Sequence, residues 1–189
     1  MDRRIVVLGT DHALQGSQNT PDDKKINDPT YQVLVEKLIK DYDVDCIFEE
    51  ASGCGSTTAS ELKRTGLEYF DVDPQGPERK SHGIPEGLPI ESYAIYEIND
   101  PHTPKSEPFA TQKKLDTELG RERVWVERIN KQQFKNGLMI CGAAHTFSVA
   151  RRLVDSGFSV DVIIYLGPTL IDLIGGIAAG ALIQKFNHG

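Results

Sequence analysis

Apolar residues fall along this chain in short runs separated by stretches of helical periodicity. Ile5-Val6-Val7-Leu8 is a continuous aliphatic run that stops at Gly9, the pattern of a strand buried on both faces, as parallel strands are. It ends in Gly9-Thr10-Asp11-His12, and residues 14–27 are mostly polar, which predicts a mobile loop. Asp28-Pro29 then opens a helix: Asp offers a capping oxygen, Pro fits the first helical position, and Tyr31, Leu34, Val35, Leu38, Ile39 and Tyr42 follow at helical spacing. A second strand, 44–48, runs directly into Glu49-Glu50. A short helix is expected over 57–65, closed by Gly66, where glycine adopts a left-handed cap at least cost. A weaker strand over 67–72 leads to Asp73-Pro74.

Residues 75–107 are rich in proline and charge and read as a long excursion with one short helix near 91–98. The pattern resumes with a helix over 110–131, a buried strand over 138–141 leading into Gly142-Ala143-Ala144-His145, a helix over 147–155 stopped by Gly157, and a strand over 158–165. Strands alternating with helices in this order specify an α/β domain with a mainly parallel sheet of about five strands flanked by helices.

Composition narrows the function classes. The 189 residues carry Lys+Arg 21 against Asp+Glu 28, a formal charge of −7, which argues against a protein that coats nucleic acid. At 39% hydrophobic and 26% charged the chain is an ordinary globule of single-domain length. Cys46, Cys54 and Cys141 match no disulfide framework or zinc knuckle, which suits a reducing compartment. The opening apolar run is too short for a signal-peptide core and no later window offers about 20 apolar residues, so a cytoplasmic location without stable membrane insertion is expected.

In a parallel sheet the residues just past the strands gather on one edge, where α/β proteins bind ligands. Here that edge receives Asp11 and His12, Glu49 and Glu50, Asp71 and Asp73, and His145. Imidazoles and carboxylates together are the ligand types of Mn, Fe, Co or Zn. Adjacent carboxylates ending an apolar strand also need a cation or an arginine opposite. Plainer roles fit each residue singly: a histidine that starts a helix, Glu49-Glu50 paired with Arg121 or Arg123, Asp71 and Asp73 as turn residues before Pro74. The turn Gly53-Cys54-Gly55-Ser56 resembles a phosphate cradle but lacks the lysine and spacing of a P-loop.

At these positions the chain resembles the TIKI/TraB/PrgY-like superfamily, which includes erythromycin-esterase-like and ChaN-like proteins. The likeness is one of motif order: Gly9-Thr10-Asp11-His12, Phe48-Glu49-Glu50, the helix Arg121-Glu122-Arg123-Val124-Trp125-Val126-Glu127-Arg128-Ile129, and Gly142-Ala143-Ala144-His145. The resemblance implies a compact cytosolic bacterial member with a divalent metal (Mn, Co, Fe or Zn) held by His12, His145 and Glu50 or Glu49. Glu50 is the slight favourite, since neighbours on a strand point to opposite faces. It further implies that Glu49, Glu50, Arg121 and Glu122 serve catalysis, the metal activating a water whose proton a glutamate accepts. Arg121, Trp125 and Arg128 share one helix face, so Glu122 points about 100° away.

Residues 169–183 are apolar apart from Thr169 and Asp172 and include Gly176-Ile177-Ala178-Ala179-Gly180. The expected division is an α/β domain over 1–167 and an apolar helical tail over 168–189, through which a homodimer would form. The leading functional expectation is a metal-dependent hydrolase of an amide or ester bond acting on a small-molecule or peptide substrate. Its alternatives are a non-catalytic small-molecule or anion-binding module on the same edge, or an assembly protein acting through the tail.

Overall fold

A computed structural model of the chain describes residues 3–16, 26, 28–51, 56–63, 66–84, 108–167 and 182–186. They form one α/β domain: β1 (Arg4–Thr10), α1 (His12–Gln15), α2 (Pro29–Asp41), β2 (Cys46–Glu49), α3 (Thr58–Leu62), β3 (Glu68–Asp71), α4 (Pro77–Ser81), α5 (Pro108–Lys131), β4 (Asn136–Gly142), a 3-10 turn (Ala143–His145), α6 (Thr146–Asp155), β5 (Ser159–Tyr165) and β6 (Leu182–Phe186). The sheet order is β3-β2-β4-β1-β5-β6. The first five strands pair in parallel and β6 runs antiparallel to β5.

Two expectations are corrected here. The loop expected over 14–27 does not include Leu14 and Gln15, because His12–Gln15 forms a helical turn capped by the Asp11 carboxylate, which accepts from the Ala13 amide; residues 17–25 and 27 lie outside the described residues. The tail is not helical throughout: Leu182–Phe186 is an edge strand paired with Val160 to Ile164. A helical pattern and a strand look alike in a short apolar run, and pairing partners decide between them. The helix expected over 91–98, the turn at 53–55 with Cys54, and 168–181 lie outside the described residues.

The local signals act as their chemistry dictates. Asp28 accepts the Thr30 amide at the start of α2 with Pro29 at its first position, and Gly66 and Gly157 close their segments at φ 92° and 90°. Pleating sends alternate strand residues to opposite faces. Ile5, Val7, Phe48, Met139 and Cys141 pack beneath Trp125 and Ile129 of α5 and Val149 and Leu153 of α6. Val6, Leu8, Ile47, Leu138 and Ile140 pack beneath Tyr31, Val35 and Leu38 of α2. Each such fully buried aliphatic side chain contributes about 1.5–3 kcal/mol of transfer free energy, so the two faces together hold the sheet between its helices. Among the described residues no helix is long and apolar enough to cross a membrane.

Candidate functional site

The strand register sets the level at which the edge residues emerge. Thr10 lies opposite both Gly142 and Tyr165, and Glu49 lies opposite Ile140 and Asp71. His12, Glu50 and the turn carrying His145 therefore leave the sheet side by side. His12 is the first residue of α1 and His145 immediately precedes α6 without a side-chain capping bond, so both stand at helix starts, as a histidine after a strand can.

Glu50 is the centre. It is buried, its Oε2 accepts the Gly142 amide at 2.9 Å, and its Oε1 accepts from Nη2 of Arg121. Arg121 also donates from Nε to Oδ1 of buried Asp73 at 2.8 Å, and Trp125 donates its indole N–H to the same oxygen at 3.1 Å. Arg79 approaches Oδ2 of Asp73 at 3.1 Å. The shared face of Arg121, Trp125 and Arg128 is thus turned to the segment after β3, and Arg128 donates to the Asp71 and Asp73 carbonyls. Arg123 does not reach Glu49 or Glu50; it donates to the His82 carbonyl.

Glu122, one helix position from Arg121, points to α6. Its Oε1 lies 2.9 Å from Nδ1 of His145 and 2.6 Å from the Ser148 hydroxyl, while Arg152 donates to its Oε2 at 3.2 Å. Burial, the largest influence, pushes Glu122 upward, yet these three donors hold it below the ordinary carboxylate value. Burial likewise works against a charged His145, but Glu122 and Glu50 outweigh it and raise its proton affinity. The His145 ring stands edge-on to Trp125, centroids 5.0 Å apart. Its Nε2 lies 3.9 Å from Oε1 of Glu50, and Nε2 of His12 lies 3.6 Å from Oε2 of the same carboxylate. Gly142 makes room for His12, since a Cβ there would come 2.7 Å from the imidazole Nε2.

Glu49 takes the opposite face, as the pleat requires. It is fully buried, with Thr57 and Tyr69 donating to Oε2 and Gln15 donating to Oε1 at 3.2 Å. Burial pushes its pKa up to about 7 against the lowering effect of those hydrogen bonds. Glu49 therefore stands behind the edge rather than beside Glu50. Burial also pushes the Cys46 thiol up to about 12 and raises Cys141, so neither is a ready nucleophile.

The metal expectation does not stand. Among the described residues no group of three or more His, Cys, Asp and Glu side chains is arranged to hold a metal ion. The physical reason is visible at Glu50: the cation facing it is the Arg121 guanidinium, and its second oxygen is occupied by a backbone amide. With the Mn, Co, Fe or Zn site on His12, Glu50 and His145 goes the metal-dependent hydrolase that was built on it. The chain matches no protein-family model, no curated protein and no solved structure.

Several residues of this cluster escape a reading of the sequence. Gln15 follows His12 by three positions, and Ser148 and Arg152 follow His145 by three and seven, spacings that share a helix face and could have flagged them. Arg79, Thr57 and Tyr69 arrive from separate elements and leave no local signal.

Proposed function

We propose that the carboxyl edge of the sheet around Glu50 binds a small anionic molecule, with His145, His12 and Arg121 facing it. The observation that carries this reading is the charge inventory. Glu50, Asp73 and Glu122 are each in contact with a guanidinium, from Arg121, Arg79 with Arg121, and Arg152 respectively. Among these six groups three carboxylates meet three guanidiniums, so a proton on His145, whose proton affinity is raised, adds a positive charge to a balanced set. Glu49 is turned to the other face of the sheet, and Asp71 precedes Asp73 at the strand end. Nε2 of His145 is turned toward Glu50, so the proton it gains becomes a donor on that side. The edge is reached from solvent at His12, whose side chain is 45% exposed.

The test is a titration of the purified chain with inorganic phosphate and with succinate in the presence of a chelator, read by calorimetry and by the histidine signals in NMR. One of the two should bind with the chelator present, more tightly at pH 6 than at pH 8, and His145→Ala should weaken it at least tenfold. Failure of both anions to move the His145 signals at millimolar concentration overturns the reading.

A further inference from the structure

We infer that Gln15, itself oriented by buried Glu49, fixes the proton of the neutral His12 imidazole on Nδ1, so that Nε2 is the nitrogen that takes up the second proton and, in the charged ring, donates to the candidate anion. Its importance for binding rests on the anion-site reading above, but the tautomer itself does not.

The argument runs outward from the core. Gln15 is fully buried, and its amide nitrogen lies 3.2 Å from Oε1 of Glu49 and 3.4 Å from the Glu50 carbonyl oxygen. With Glu49 ionised, above its folded pKa of about 7, both partners are acceptors, so the NH₂ end of the amide belongs there. Turning the amide over would set its oxygen against two buried oxygens, leaving polar groups unsatisfied where that is costly. Glu49 is fixed in turn from its far oxygen by Thr57 and Tyr69, and an isolated bridge between Gly16 and Thr57 ties the end of α1 to the start of α3.

With its nitrogen committed, Gln15 offers Oε1 to Nδ1 of His12 at 2.6 Å. A carbonyl oxygen at that distance accepts, so Nδ1 carries the hydrogen. Nε2 then looks across Gly142 to Glu50. His145 is held in the same manner by the Glu122 carboxylate at its own Nδ1. Both imidazoles thus turn the nitrogen of the same name to the same carboxylate, one steered by a neutral amide and the other by an ionised acid. Gln15 is a positioning residue in this scheme, and Glu49 acts through it.

Two-bond nitrogen–proton NMR spectra of ¹⁵N-labelled protein, recorded without ligand at a pH where His12 is neutral, read the tautomer directly. Loss of one signal set in His12→Asn assigns it. The wild type should show the His12 proton on Nδ1, and Gln15→Met, which keeps the bulk but removes the acceptor, should shift the population toward Nε2–H. A wild-type proton on Nε2, or an unchanged tautomer in folded Gln15→Met, overturns the inference. If Gln15→Met does not fold, the wild-type spectrum decides: Nδ1–H supports the relay and Nε2–H defeats it. Because no anion is present, this result and the anion titration can fail separately.

Discussion

Nδ1 of His145 and Oε1 of Glu122 meet at 2.9 Å across two helices, with both side chains buried. The contact joins the end of β4 to the middle of α5 and makes the protonation of one group depend on the other. Below its ordinary value near 6.5 His145 contributes its full stabilisation, which is lost as pH rises through its raised folded value. Glu122 contributes above its ordinary value near 4.5 and loses that contribution as pH falls through its lowered folded value. The pair therefore stabilises most between those limits. Glu122→Gln should lower the His145 pKa in an NMR titration and reduce stability at pH 6 by about 1–3 kcal/mol, the scale of a charged hydrogen bond.

Glu49 gives the slope opposite to that of Glu122. Its folded pKa near 7 exceeds its ordinary value of 4.5, so the unfolded chain loses the proton first and stability falls as pH rises from about 4.5 to 7. A shift of that size corresponds to about 3 kcal/mol. Thermal melts of Glu49→Gln across that range should show a flatter pH dependence than the wild type, with the largest relative gain at the alkaline end. Parallel curves for the two proteins would show that Glu49 titrates normally.

Arg121→Ala should be among the most damaging single changes. It strips the guanidinium from buried Glu50 and one of two from Asp73. Leaving a buried charge uncompensated costs about 3–5 kcal/mol. Urea denaturation measures it, and a loss under about 1 kcal/mol would mean that the pair is open to water.

Two glycines separate site geometry from folding. A Cβ on Gly9 would meet the Oγ1 of buried Thr146 at 1.9 Å, with the Thr146 Cβ and Cγ2 at 3.0 Å, so Gly9→Ala should destabilise by about 1–3 kcal/mol. A Cβ on Gly142 meets the ring of half-exposed His12, which can swing aside. Gly142→Ala should therefore weaken anion binding at least severalfold while shifting the denaturation midpoint less than Gly9→Ala. Equal effects of the two on stability would show His12 to be locked in place.

The sequence by itself determined the alternation of strands and helices, the caps at Asp28, Gly66 and Gly157, and the arrival of two histidines and a set of carboxylates at one sheet edge. Those features are local: apolar runs, turn chemistry and the common direction of parallel strands specify them without knowledge of distant partners. It also narrowed the cation facing the acidic pair to a metal or an arginine. Only the tertiary structure decided between them, by bringing Arg121 to Glu50 across 71 positions of chain. The pleat and pairing likewise sent Glu49 to one face and Glu50 to the other, and turned the end of the apolar tail into β6. Such choices depend on contacts between residues far apart in sequence, and a one-residue change of register would reverse every face assignment along a strand.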